Sequence, residues 1–270
     1  MGQARRPAVL KREDADAWRA TPSRNRVMTM TSIQSIVDRQ IQRWLLESRS
    51  GHEKAAGQPA PRPVITISRT LGSGGALIGR LVAERMKLNL YEKEIIEQIA
   101  AHGEVRRDLV EAMDEHSRSR VESWVDGILR NRMFDEGDYY HHLLQVLRSL
   151  QELGSVVIVG RGANFILPER PALHVRVVAP LEDRVRRLMD YLGLTRDEAE
   201  KRIRESDANR ARFVRRLFGA DWNDPLHYNL VINTGRVCLE CSAMLVETAW
   251  TIRMRKHLEE GEKGRGAERA

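Results

Sequence analysis

Five short apolar runs recur along the chain, and the residues between them return to apolar character every three or four positions. The runs are Val64–Ile67, Leu88–Tyr91, Ser155–Val159, Ala172–Val178 and Tyr228–Asn233. Their length and β-branched content predict buried strands. After the first run, Leu77, Ile78, Leu81, Val82 and Met86 share one helical face; after the second, Ile95, Ile96 and Ile99 do the same over residues 92–101. Residues 102–153 read as mostly helical, with Val121, Trp124, Val125, Ile128 and Leu129 as one stripe. Further helices are predicted at 181–192, after Thr195, and at 238–258, and Thr195 with Glu198 forms a capping box. Strands alternating with helices predict a parallel sheet with right-handed crossovers, an α/β chain of three α/β/α layers.

Residues 1–29 lack apolar periodicity and carry Pro7 and Pro22 among many charges, so they are expected to be disordered. Residues 31–46 differ, because Ile33, Ile36, Val37, Ile41, Trp44 and Leu45 recur at helical spacing. This helix can dock on the domain or on a second chain, which would make a homodimer. Residues 48–63 form a Gly/Pro/Ala/Ser linker. The expected organisation is therefore a basic extension and linker at 1–62, one domain at 63–258, and a polar, frayed tail at 259–270.

Composition narrows the partners. The net charge is +7, with twelve Lys or Arg against six Asp or Glu before residue 63, so the extension holds nearly all of the excess. The domain itself is almost balanced, and nucleic acid is an unlikely partner for it. No apolar run reaches membrane-spanning length and no secretory signal is evident, so a cytoplasmic protein without a membrane partner is expected. The two cysteines, Cys238 and Cys241, lack a second pair and read as packing residues of a reducing compartment. The adjacent His141 and His142 do not face one ion, and no metal ligands are assigned.

The chemistry concentrates in the first strand and its turn. Gly72, Ser73, Gly74 and Gly75 lie between strand and helix, a layout that offers backbone N–H groups and a helix N-terminus to phosphate. Against the pattern G-x-x-x-x-G-K-[ST], Gly75 stands at the Lys position, Ala76 at the Ser/Thr position and Arg69 at the first glycine. Arg69 and Arg80 are the nearby cations that could replace the lost ammonium. Glu92 sits at the C-terminal end of the second strand, where open α/β sheets bind ligands, and reads equally as part of a charged first helical turn. Gly160-Arg161-Gly162-Ala163-Asn164 follows the third strand, so Arg161 points to the ligand crevice unless a carboxylate holds it. In residues 203–219, Arg204, Arg210, Arg212, Arg215 and Arg216 crowd one helix, with Asp207 three residues from both Arg204 and Arg210. Guanidiniums this dense repel one another unless anions are shared among them, which suits a lid over phosphates.

Four segments, ITISRTLGSGGALIGRLVAERM, LYEKEII, VIVGRGANFIL and SDANRARFVRRLFGADWNDPLHYNLVINT, resemble the cytidylate kinase-like family within the P-loop nucleoside monophosphate kinases. The resemblance covers residues 63–255. It implies a P-loop kinase fold with a five-stranded parallel sheet, a helical acceptor-binding insertion and an arginine-rich lid. It implies ATP-dependent phosphoryl transfer to a nucleoside monophosphate, CMP by name, with Mg²⁺. Carried over, Gly72, Ser73, Gly74 and Gly75 would hold donor phosphates, Arg161 would grip the acceptor phosphate, and Arg210, with Arg204 or Arg215 beside it, would neutralise charge on the transferred group. By position alone, Arg80 is added to the donor site, Asn164 and Glu92 to the acceptor site, and Arg69 to transfer. The chain departs from true cytidylate kinases in lacking the loop Lys, in carrying Gly162 where they have Asp, and in lacking a Tyr-Arg motif after Tyr91. The alternative reading is a nucleotide- or anion-binding module without catalysis.

Overall fold

A computed structural model describes residues 30–53, 62–130, 137–168 and 172–268. The extension before residue 30 and residues 54–61 of the expected linker lie outside the described residues. The elements in order are α1 (Met30–Glu53), β1 (Val64–Arg69), α2 (Gly75–Arg85), β2 (Asn89–Glu92), α3 (Lys93–Ala101), α4 (Gly103–Glu111), α5 (Glu115–Arg130) and α6 (Gly137–Leu153). They continue with β3 (Val156–Val159), α7 (Ala163–Ile166), β4 (Ala172–Val178), α8 (Leu181–Leu192), α9 (Arg196–Phe218), β5 (Leu230–Asn233) and α10 (Leu239–Glu268).

The five strands form one parallel sheet in the order β2-β3-β1-β4-β5. Strand side chains alternate between faces, so the continuous apolar runs fill two separate cores. Val64, Val156 and Ile158 pack with α1 and α3–α7, whereas Ile65, Ile67, Val157 and Val159 pack with α2 and α10. The result is a three-layer α/β/α fold around the expected five-stranded parallel sheet. A smaller third core joins Val185 and Leu188 of α8 to Ala199 and Ile203 of α9, with Leu71 of the glycine loop against them.

Helix ends follow their local chemistry. The Thr195–Glu198 capping box opens α9, and Gly219 closes it in the left-handed conformation that glycine adopts without Cβ strain. Three boundaries differ from the sequence reading. α1 runs seven residues beyond 46, α10 is helical through Glu268 where a frayed tail was expected, and residues 225–227 form a 3₁₀ turn before β5. The Cys238/Cys241 reading is corrected. Both residues are exposed and their sulfurs form a disulfide. In the first turn of α10 it is Leu239 and Ser242 that turn inward, at 2% and 0% exposure, leaving the two cysteines on the outer side.

α1 docks on its own chain. Ile33 and Val37 are buried in the insertion core, and the buried Gln40 donates to the Gly154 carbonyl at 2.7 Å while accepting from the Asn89 amide at 2.5 Å. Ile33 and Val37 of its apolar face are thus used internally, with Ile36 and Ile41 packed partly against the same core. No described helix is long and apolar enough to cross a membrane. Ile33→Ala should lower unfolding free energy by about 2–5 kcal/mol, the range for truncating a buried Ile. Leu46→Ala, at a position 65% exposed, should stay within about 0.5 kcal/mol. Urea denaturation of both variants distinguishes a docked α1 from a loose one.

Candidate functional site

The parallel sheet delivers Arg69, Glu92 and Gly160 to one edge, because they end or follow β1, β2 and β3, three neighbours in register. On this edge the turn from β1 to α2 bends through Gly72 and Gly74, at φ 80° and 83°. The Gly74 conformation places the start of α2 without a side-chain cap. Among the described residues, no acceptor takes the amides of Gly74, Gly75 and Ala76, while Ile78 begins the helical ladder on the Gly74 carbonyl. Unpaired N–H groups at a helix start are donors of the kind that can take an anion.

The loop is braced from outside. Ser73 is fully buried and its hydroxyl donates to the carbonyls of Thr70 and Val177, so that side chain ties the turn to the sheet. Thr234, just past β5, donates to the Ser73 carbonyl at 2.7 Å. Arg187 of α8 donates to the Gly72 carbonyl and to both oxygens of Thr234. Asp207 of α9 completes the frame, accepting from the Leu71 amide at 3.0 Å, from Arg210 at 3.0 Å and from Arg184 at 2.6 Å. Arg184, Arg187 and Thr234 were missed in the sequence. A helical wheel of LEDRVRRLMDYL offers the one signal, because Arg184 and Arg187 flank the buried Val185 and Leu188.

The predicted cations divide. The Arg69 guanidinium lies across Gly160, where any Cβ would collide with it, and Gly160 takes φ 93°. Arg69 and Arg80 both act on Glu92, whose carboxyl is nonetheless raised above the ordinary glutamate range because burial outweighs them. Both guanidiniums thus lie near enough to the Glu92 carboxyl for their fields to act on it. Arg161 follows Gly160 at φ 57° and pairs with Glu97 of α3. Burial pushes its guanidinium down to about 10, against the opposing field of Glu94. The carboxylate-tied reading of Arg161 is thus the observed one, although its Nε and the neighbouring Asn164 Nδ2 are buried without an acceptor among the described residues. α9 closes over this turn, with Phe218 against Gly162, Phe213 beside Arg161 at 5.8 Å, and Phe165 stacked on Phe218 at 5.4 Å.

The arginine-rich helix brings only part of its charge to the loop. Arg210 reaches the frame through Asp207. Arg204 instead pairs with Glu200 at 3.5 Å with its side chain 68% exposed, and Arg215 is exposed as well. A helix presents one face, and the face carrying Asp207 and Arg210 turns the other two outward. Arg176, absent from the sequence reading, is buried in β4. It donates to Asn223 at 2.7 Å and lies 4.2 Å over the Trp222 ring, so it fixes the segment between α9 and β5.

Comparison with known proteins gives a consistent result. The sequence model described as the cytidylate kinase-like family matches residues 64–236. The cytidylate kinase of Methanopyrus kandleri is 27% identical over 183 residues, spanning 64% of this chain and 85% of that protein. That of Pyrococcus horikoshii is 27% identical over 193 residues, spanning 71% and 90%. A crystal structure of an uncharacterized protein from Eubacterium ventriosum superposes with a TM-score of 0.54 at 20% identity, covering 70% of this chain and 99% of that one, a likeness of fold.

Two variants test this geometry. Asp207→Ala strands the Leu71 amide and two guanidiniums and should cost about 1–3 kcal/mol in urea denaturation, whereas Arg204→Ala, on an exposed pair, should cost less than about 1 kcal/mol. Glu92 carries the pH test. Its raised carboxyl binds a proton more tightly folded than unfolded, so its contribution to stability falls as pH rises through the range just above the ordinary glutamate value. The stability of Glu92→Gln relative to the parent should therefore improve as pH rises from 4 to 7 (about three units, spanning that range), and a pH-independent difference would show Glu92 to be solvated.

Proposed function

We propose, from the premise that this chain belongs to the cytidylate kinase-like family, that it transfers a phosphoryl group from ATP to a nucleoside monophosphate with a CMP-like base. At a coarser level, nucleotide-kinase-like phosphotransfer is what the family supports. The observation that carries the finer reading is the glycine turn, with the amides of Gly74, Gly75 and Ala76 open on the ligand edge of the sheet. Phosphoryl transfer requires alignment of donor and acceptor and positive charge on the moving group, and little covalent chemistry from the protein.

In this reading the turn receives the donor phosphates on its backbone. The acceptor phosphate meets Arg161 and Asn164, whose buried Nε and Nδ2 groups lack acceptors among the described residues. Arg210, placed beside the loop by Asp207, supplies charge to the transferred group, and α9 excludes water that would otherwise hydrolyse the donor. Arg69 and Arg80 stand near Glu92, where they hold its charge in check. The family also implies Mg²⁺. The loop does not fit its usual ligand set: Ala76 occupies the hydroxyl position, the Ser73 hydroxyl is spent on two carbonyls, and no group of three His, Cys, Asp or Glu suited to a metal occurs among the described residues. No step is therefore assigned to the ion.

A non-catalytic nucleotide-binding module is the second reading. It is favoured by Gly75 at the Lys position and by the pairing of Arg161 with Glu97. ADP release from ATP, measured across nucleoside monophosphates and small hydroxylated acceptors, separates the two. The kinase reading expects turnover with a pyrimidine monophosphate, lowered on the order of 10³-fold by Arg210→Ala with a much smaller change in ATP affinity. ATP binding without transfer to any acceptor selects the binding module.

A further inference from the structure

Cys238 and Cys241 form an exposed disulfide in the first turn of α10, at a place the phosphotransfer reading does not use. Two features make this turn more than a staple. The first is electrostatic. Cys238 immediately precedes α10, and its Sγ accepts the Cys241 backbone N–H at 3.0 Å, so the sulfur sits where the N-terminal amides of a long helix converge. That position stabilises a thiolate over a thiol, and it does so for Cys238 while Cys241 lies one turn further in. The second is mechanical. Leu239, between the cysteines, is 2% exposed and packs directly beneath the glycine turn, since a methyl built on Gly74 would stand 2.5 Å from Leu239 Cδ2. Thr234, which braces the Ser73 carbonyl, lies four residues before Cys238 on the same connection.

We propose that Cys238 and Cys241 are a thiol–disulfide exchange site for small-molecule disulfides and thiols, with Cys238 as the attacking sulfur, and that its state sets how firmly Leu239 supports the glycine turn. In the oxidising direction the Cys238 thiolate attacks one sulfur of a small disulfide. A Cys238–S bond forms, the small S–S bond breaks, and one small thiolate leaves and takes a proton from water. Cys241, losing its proton to water, then attacks Cys238 Sγ, forming the intramolecular bond and releasing the second small thiolate. The protein dithiol gives up two electrons and two protons, and the small disulfide becomes two thiols. The reverse reaction with a small thiol reopens the bond at the exposed sulfurs. Closed, the bond pins the turn that carries Leu239. Open, it lets that turn fray and loosens the backing of Gly74.

The test uses the full chain and needs no nucleotide, so its failure is distinct from failure of the kinase reading. Reduced Cys241→Ser and Cys238→Ser are each treated with oxidised glutathione near neutral pH, and the mixed disulfide is followed by intact mass. Cys241→Ser, which keeps Cys238, should form the adduct at least about ten times faster than Cys238→Ser. Hydrogen exchange of the peptide spanning residues 71–77 is then compared in the oxidised parent, the reduced parent and the Cys238→Ser/Cys241→Ser double variant. The reduced parent and the double variant should exchange alike, and about ten times faster than the oxidised parent. Because both cysteines are exposed, serine leaves the core intact. Equal adduct rates for the single variants, or loop exchange that is the same in both redox states, overturns the proposal.

Discussion

A turn whose amides have no acceptor cannot use them to hold itself. The glycine turn of this protein leaves the N–H groups of Gly74, Gly75 and Ala76 outside its own hydrogen-bond network, and its fixation is therefore imported through its carbonyls and flanks. Carbonyl oxygens of Gly72 and Ser73 are taken by Arg187 and Thr234, and the Leu71 amide by Asp207. Each brace comes from a different part of the chain, namely α8, the residue after β5, and α9. A bound polyanion would meet a preorganised cradle whose ordering cost falls on folding, and the third small core under Leu71 exists to anchor two of those braces.

The edge of the sheet sets the second constraint. Parallel strands in the order β2-β3-β1-β4-β5 bring charged ends from β1 and β2 within reach of each other across β3. The strand between them must then let a guanidinium pass, and Gly160 does so by having no Cβ. The same turn throws Arg161 toward Glu97 and under Phe213. The half-buried guanidinium is paired with Glu97 and lies in the field of Glu94, and those carboxylates offset part of its desolvation cost.

Much of this was legible in the sequence, and the reasons are specific. β1, β3 and β4 announced themselves because they are buried on both faces along most of their length, which makes continuous apolar runs, while the edge strands β2 and β5 are only partly covered and carried a weaker signal. The glycine turn and the Thr195 cap are local rules with local residues. The destination of long side chains was not legible. Arg204 and Arg210 sit six residues apart with Asp207 midway, and only the docking of α9 decided that Asp207 would hold Arg210 and the Leu71 amide. Arg184 and Arg187 received no assignment in the sequence, and they are 7% and 5% exposed. The cysteines failed for a related reason. Spacing placed them on one turn, and the inward direction of Leu239 and Ser242 decided which side of that turn they took.

The substitution at the Lys position changes how positive charge reaches the turn. A Lys on α2 would carry its charge with the loop, on a mobile stem. Here Gly75 carries none; Arg184 of α8 and Arg210 of α9 reach the turn through one carboxylate that they share, and Arg187 of α8 meets the Gly72 carbonyl directly. Charge at the turn therefore follows the position of two helices. Any movement of α9 away from the sheet would carry Asp207 and Arg210 off together, removing an anion and a cation at once and leaving the local charge nearly unchanged. A movement that broke only the Asp207–Leu71 contact would instead free an amide next to the turn while both guanidiniums stayed close. The second arrangement suits an incoming phosphate better, because it adds a donor and a cation to the same spot, and it requires a shift within the frame and no opening of the whole helix.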